Sequence, residues 1–305
     1  MSILVVGSVA YDTVETPAGR ADDALGGSAT FFTTAASLFT DTRLVAVVGE
    51  DFREQDVEFL KSRRADLSGL QRAAGRTFRW GGRYHASMNT RDTLFTELNV
   101  FESFAPDIPE PFRDCRYVFL GNIAPELQLR VLEQVHEPRF VACDTMNFWI
   151  QGRREALERL LPRVHALIIN DEEALMLSGA TSVLRAAARI QAMGPKTVIV
   201  KRGEHGALMF NNGDTFYTPA YPLEVVVDPT GAGDTFAGGF MGWIASQDDL
   251  SDATLRRAVV AGTLMASFSV EGFSVDRLKT VDRDQLLARY RELASLTRFG
   301  TLEIG

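Results

Sequence analysis

An α/β fold with a mostly parallel central sheet is predicted by three observations. Short apolar runs recur along the whole chain, helix-length amphipathic stretches separate most of them, and the 305 residues are 46% hydrophobic without a membrane-length run. Strands buried on both faces read as continuous apolar runs, and the helices between them cover those faces. A membrane helix needs roughly 18 uninterrupted apolar residues, and no stretch approaches that. With no internal repeat or low-complexity tract, residues 1–305 are expected to form one domain.

The elements follow in order. Ile3–Val6 is an apolar run ending in Gly7, and Tyr11–Thr16 is a short extended piece. Gly26-Gly27-Ser28 precedes an apolar helix, FFTTAASLF. Leu44–Val48 reads as a buried strand, the turn VVGEDF (Val47–Phe52) as structural, and Phe52–Ser62 as an amphipathic helix. Arg76–Phe101 breaks the rhythm: rich in Thr, aromatic residues and Arg, it reads as two or three strands turning at Gly81-Gly82. Buried strands are then expected at Tyr117–Leu120, Phe140–Cys143, Ala166–Ile169 and Thr197–Val200. Helices are expected at Pro125–Gln134, Arg153–Leu161 and Ser182–Met193, and a returning strand at Ala207–Asn211. Val225–Val227 resembles the end of a buried strand, and Thr235–Ala245 a buried helix.

Composition narrows the partners. A formal net charge of −8 argues against nonspecific nucleic-acid binding but not against ATP, which local groups hold. Cys115 and Cys143 cannot staple a chain of this length and have no metal-ligand spacing around them, which points to a reducing, cytoplasmic setting. The opening SILVVGSVAYD lacks a basic segment and is not read as a signal peptide.

The run VVVDPTGAGDTFAGGF, residues 225–240, carries the most chemistry. Gly231, Ala232 and Gly233 form a turn of minimal bulk that opens a helix. Unpaired amides at the positive end of a helix dipole suit phosphate, or charge that develops during phosphoryl transfer. Asp234 beside that turn has the chemistry to take a proton from a hydroxyl. A GxG turn alone also serves tight turns and close packing. Asn170 and Glu173 are spaced as a capping box, with Asn170 as the N-cap. Gly203 and Gly206 mark a turn after Lys201, and His205 within it reads as a solvent residue. Asp144, Asn147 and Trp149 stand at a strand end.

Asp228–Asp234 closely resembles the C-terminal signature of the ribokinase-like (PfkB) carbohydrate kinases, and the resemblance runs in order from Gly7 to about Gly272. It implies a three-layer sandwich with a small β-sheet lid, formed by about 11–17 and 76–101, over the acceptor. By resemblance, Asp234 is the base and Gly231–Gly233 the anion hole for transfer from ATP to a hydroxyl of a sugar or sugar-like molecule. Asp12, Gly26 and Gly27, with Asp234, would contact the acceptor. Asn170, Lys201, Gly203, Gly206 and Thr230, with Gly231 and Gly233, would hold the nucleotide. Glu173 would support Mg²⁺ through water, and Asp228 a monovalent ion such as K⁺. Two departures stand out: Phe31 replaces a family Asn, and the Arg of the element around Asp144 is absent. Phe31 steers the acceptor from ribose or fructose toward a nucleoside or cyclitol such as inositol, unless it is core and Ser28 or Thr30 does the polar work. A non-catalytic sugar-binding protein of the same fold is the alternative class. Open edges of the lid sheet would allow a homodimer.

Overall fold

A computed structural model describes residues 1–300. The chain opens with β1 (Ser2–Val6), β2 (Ala10–Thr16), β3 (Gly19–Gly26), α1 (Ser28–Ala36), β4 (Asp41–Val48), α2 (Glu54–Ser62) and β5 (Ala65–Arg72). Next come β6 (Phe78–Tyr84), β7 (Arg91–Glu97), β8 (Tyr117–Leu120), α3 (Pro125–Leu132), β9 (Phe140–Asp144), α4 (Asn147–Gly152) and α5 (Arg154–Leu160). The remainder is β10 (Ala166–Asn170), α6 (Asp171–Ser178), α7 (Val183–Ala192), β11 (Thr197–Lys201), β12 (Ala207–Asn211), β13 (Asp214–Thr218), α8 (Ala232–Gln247), α9 (Asp252–Ser269) and α10 (Arg283–Leu296).

The main sheet has nine strands in the order β13-β12-β11-β10-β9-β8-β1-β4-β5. Pairing is parallel from β11 to β5 and antiparallel at β11–β12 and β12–β13. Side chains alternate between two cores. Ile3, Val5 and Leu44 pack with α1, α8 and α9 on one face, whereas Leu4, Val6 and Val45 pack with α5, α6 and α7 on the other. The two-sided burial explains why these strands are unbroken apolar runs rather than alternating ones.

A separate four-stranded sheet has the order β3-β2-β6-β7, with β3 and β7 as open edges. Every residue of β7 is exposed. Asp51 ties this sheet to the main one, accepting from Thr77 N at 2.7 Å, from Thr77 Oγ1 at 2.7 Å and from Arg79 at 3.0 Å. The structural role read for Val47–Phe52 is thereby accounted for.

Two expectations are corrected. Gly81-Gly82 is not a turn; both glycines lie inside β6 at a register shift, and the hairpin reverses between Tyr84 and Arg91. Their small size serves packing, since a Cβ on Gly81 would stand 2.3 Å from the Phe95 ring and one on Gly82 2.2 Å from the Trp80 indole. Val225–Val227 is not a strand either: the segment is irregular and Val225 is 61% exposed. It is fixed to the end of α9 instead, Val227 N donating to Val270 O at 2.7 Å.

Helix α8 is packed on two sides through glycine. A Cβ on Gly238 would meet Phe32 O of α1 at 2.4 Å, and one on Gly262 of α9 would meet Phe236 O at 2.7 Å. Beneath α1, the Phe32 and Phe119 rings stack at 4.3 Å. Backbone obstacles cannot rotate away as a side chain does. Gly238→Val is therefore expected to cost at least the roughly 1–3 kcal/mol typical of an overpacked core. Urea unfolding should show a lower midpoint at unchanged slope, and a midpoint equal to wild type would contradict this packing.

Candidate active site

Three parallel strands end on polar residues at one edge of the sheet: Asp144 closes β9, Asn170 closes β10 and Lys201 closes β11. Ligands of open α/β sheets bind beyond the carboxyl ends of the strands. The first turn of α8 comes to the same place without a preceding strand.

The turn is built from Asp228 onward. Asp228 is buried; its Oδ1 accepts from Thr230 N at 2.8 Å and its Oδ2 from Ser274 N at 3.2 Å. Gly231 has φ 72°, and a Cβ there would lie 2.3 Å from the Phe31 ring. Left-handed backbone and close approach together call for glycine. Gly233 is constrained differently: its φ is not positive, but a Cβ would sit 2.7 Å from Lys201 Nζ. Among the described residues, no acceptor takes the Gly231 or Gly233 amide. Asp234 follows in the first helical turn, with Oδ1 buried and unpartnered.

Lys201 Nζ lies 3.7 Å from Asp144 Oδ2. Asp144 Oδ1 accepts from Thr145 N at 2.8 Å. The Asn170–Glu173 capping box is formed: Asn170 Oδ1 accepts from Glu173 N at 2.8 Å and Glu173 Oε2 from Asn170 N at 3.0 Å. Burial and the charge of Asp144 push the Asp234 carboxyl up to about 7, against the pull of Lys201. Glu173 also rises to about 7, by burial and Asp144, against Lys201 and Arg91. Burial and Asp228 bring Asp12 to about 7, against the Gly27 amide. The same neighbours act on Lys201 in the opposite sense, so that its ammonium is favoured despite burial. Asp234 and Glu173, poised near neutrality beside the held cation of Lys201, suit proton transfer next to an anion.

Asp12 lies on β2 of the small sheet, and a Cβ on Gly26 would come within 2.0 Å of its Oδ2. Gly27, with φ 91°, lets the chain pass over Ser8 into α1. A narrow cleft is lined by Asp12, Phe31, Asp228 and Thr230, among others. Phe31 is only 1% exposed and supports the Gly231 turn; Ser28 is spent on Ser8, their hydroxyls 3.2 Å apart, and Thr30 Oγ1 is buried without a partner. Phe31 is thus core. Thr30, open to hydrogen bonding but 0% exposed, makes no substitute polar face. Gly203 has φ 52° and Gly206 φ 83°, where a Cβ would meet Thr218 O at 2.1 Å; His205 is exposed. Trp149 Nε1 donates to Asn122 Oδ1 at 2.9 Å, and Asn147 Oδ1 accepts from Phe148 N.

Tyr84 belongs to no motif of the sequence. Its hydroxyl lies 3.3 Å from Thr230 Oγ1, so the β6–β7 hairpin rests on the turn before Gly231. The aromatic and arginine content of Arg76–Phe101 was the signal, but the register that selects Tyr84 was not visible in it.

Residues 2–277 match the pfkB family carbohydrate kinase model. The cytidine kinase of Thermococcus kodakarensis is 34% identical over 247 residues, covering 79% of this chain and 87% of that one. Two solved structures share the fold. Aminoimidazole riboside kinase from Salmonella enterica, complexed with aminoimidazole riboside and an ATP analog, has a TM-score of 0.75 at 21% identity, covering 95% of this chain and 99% of its own. Burkholderia thailandensis nucleoside kinase, in complex with inosine, has a TM-score of 0.76 at 19% identity, covering 95% and 97%. The chain belongs to the pfkB family of carbohydrate kinases.

Proposed function

We propose that this kinase transfers the γ-phosphoryl group of ATP to a hydroxyl of a nucleoside, with Asp234 as base. The observation that carries the proposal is the unpartnered, buried Asp234 Oδ1 beside the free Gly231 and Gly233 amides. The acceptor hydroxyl gives its proton to Asp234, and its oxygen forms the new bond to γ-phosphorus. The bond from γ-phosphorus to the bridging oxygen breaks, and ADP leaves with that electron pair. Such transfer depends on positioning and charge stabilisation. The Gly231 and Gly233 amides and Lys201 face the developing charge, whereas the Ala232 amide, read with them from the sequence, donates to Pro229 O at 3.2 Å; the Gly203–Gly206 turn and Thr230 complete the nucleotide side. Asp12, Gly26 and Gly27 hold the acceptor, and the small sheet acts as a lid excluding water.

The donors fit Mg²⁺ only through water and phosphate oxygens. Glu173 spends Oε2 on the Asn170 amide, and no cluster of three or more His, Cys, Asp or Glu forms a cage among the described residues. Mg²⁺, when bound, neutralises phosphate charge, and Asn170 and Glu173 would hold its water shell. Each Asp228 oxygen accepts one amide hydrogen bond and keeps a further lone pair, which a monovalent ion would share. The nucleoside assignment takes its support from the cytidine kinase relative rather than from Phe31, which is core.

Asp234→Asn is expected to lower kcat by about 10²–10⁴-fold with ATP affinity kept. In wild type, kcat/KM should rise with pH through about 7, because the base must be charged. A variant keeping more than about a tenth of wild-type kcat would remove the base assignment. The same substitution should stabilise the protein. The folded pKa of Asp234 lies above its ordinary value of 3.8, so the native state binds more protons between these values and stability falls as pH rises toward 7. Thermal melts at pH 8 should place Asp234→Asn above wild type, and a lower Tm would contradict the burial argument.

For the acceptor, steady-state kinetics on a nucleoside set, ribose, fructose and myo-inositol should give the highest kcat/KM with a nucleoside. Efficient turnover of ribose or fructose, above about 10⁴ M⁻¹s⁻¹, with poor nucleoside turnover would overturn that choice. For the lid, tryptophan fluorescence should change on acceptor binding and lose that component in Trp80→Phe, leaving Trp149 and Trp243 as background. An unchanged signal in the variant would place Trp80 outside the closing surface.

A further inference from the structure

The strand that carries Asp12 is built into the start of a helix. Asp12 lies on β2, between β3 and β6 in the small sheet. Neighbouring side chains on a strand point to opposite faces. Asp12 and Val14 line the cleft with Phe31 and Asp228, so Tyr11 faces away from it, toward α2. Tyr11 is buried, with its ring 5.6 Å from that of Phe52.

The Tyr11 phenol completes the cap of α2. Arg53 is the N-cap of that helix and Asp56 its third residue. In a capping box the side chain at the third position reaches back to the N-cap amide. Aspartate is one carbon shorter than glutamate, and here the Tyr11 hydroxyl stands between the two groups. It donates to Asp56 Oδ2 at 2.7 Å and accepts from the Arg53 amide at 2.9 Å. Burial holds this phenol above its ordinary range, which keeps the proton it donates. Arg53 Nε joins them, 3.0 Å from the hydroxyl and 2.8 Å from Asp56 Oδ2. Two guanidiniums lie over the ring, that of Arg53 at 4.1 Å and that of Arg79 at 5.3 Å from its centroid. Each also ties in a neighbour of the strand: Arg79 belongs to β6 and pairs with Asp51, and Arg53 donates to Asp23 O of β3 at 2.7 Å.

The consequence falls on Asp12. Besides the Gly27 amide, no hydrogen bond among the described residues holds its carboxylate, so its place follows that of its strand. A shift of β2 against α2 would move it relative to Asp228 and Asp234, both of which act on its charge.

We propose that Tyr11 is a positioning residue for acceptor recognition. By pinning β2 to the first turn of α2, it fixes the Asp12 carboxylate where that group meets vicinal hydroxyls of the acceptor. The proposal deepens the kinase reading above and rests on it, since there Asp12 holds the acceptor.

The test compares wild type, Tyr11→Phe, Asp56→Asn and Asp56→Ala. Each is assayed with the best acceptor and with its analogue lacking one of two vicinal hydroxyls, which for a nucleoside is the 2′-deoxy compound. Tyr11→Phe keeps the ring and loses the hydroxyl. It should raise acceptor KM about tenfold, as loss of a hydrogen bond to a charged group does, with kcat and ATP KM within about threefold of wild type. Its preference for the full acceptor over the analogue, as a ratio of kcat/KM, should shrink by a similar factor, because a misplaced carboxylate gains less from that hydroxyl. A general loss of stability would leave this ratio unchanged. Asp56→Asn keeps an oxygen for the phenol and should follow wild type, whereas Asp56→Ala should follow Tyr11→Phe. The double variant should be no worse than either single one, as expected of residues acting as one unit. If Tyr11→Phe fails to fold, Asp56→Ala against Asp56→Asn carries the same comparison. A wild type indifferent to the missing hydroxyl, an unchanged preference in Tyr11→Phe, or an equal rise in ATP KM overturns the role of Tyr11 and leaves phosphoryl transfer intact. A wild-type protein that phosphorylates no sugar, nucleoside or cyclitol overturns the kinase reading and this role together.

Discussion

The ammonium of Lys201 is the group around which the site is organised. An unpaired charge is too costly to bury, so a lysine at the end of a central strand requires anions near it. Asp144 supplies the nearest, at 3.7 Å, with Glu173 and Asp234 also acting on it. Each of the four comes from a different element, and each is placed by where that element starts or stops. The carboxyls in turn exceed the charge that one lysine can neutralise. Burial first, and then the charge of neighbouring carboxylates, holds Asp12, Glu173 and Asp234 above the ordinary carboxylate range.

The geometry that supports this arrangement is steric rather than electrostatic. Gly231 adopts a left-handed backbone over the Phe31 ring, and Gly233 leaves space for the end of Lys201. Helix α8 then sits between α1 and α9 on glycine contacts that admit no added carbon. The position of Asp234 is set by these close approaches. A slip of the helix by one residue would carry its carboxylate to another face.

Much of this was legible in the chain. Apolar runs marked seven of the nine strands of the main sheet's central and parallel part or its return, because burial on both faces leaves no polar positions to obscure them. Asp228–Asp234 was legible because small residues, a turn and a carboxylate leave few other uses for that order. Strands β3, β5 and β13 were not, since each mixes polar residues with exposed positions and carries no clear period. Val225–Val227 misled for the opposite reason: β-branched residues suggest a strand, yet the Val227 amide bonds to the end of α9 instead. Gly81-Gly82 misled because glycine pairs serve bulges and close ring packing as readily as turns. The place of Tyr84 depended on cross-strand register, which a bulge shifts without any trace in composition.

The packing of α1 has a consequence for how the protein is made. All nine residues of Ser28–Ala36 are buried, and α8, residues 232–247, lies across them. A ribosome delivers α1 roughly two hundred residues before its cover. During that interval a nascent chain carries a bare apolar helix next to strands still seeking their neighbours, a surface prone to self-association. Synthesis halted before Ala232 therefore leaves a product without Asp234 and with its stickiest face open. Completion of the core and arrival of the Asp234 carboxylate are one event.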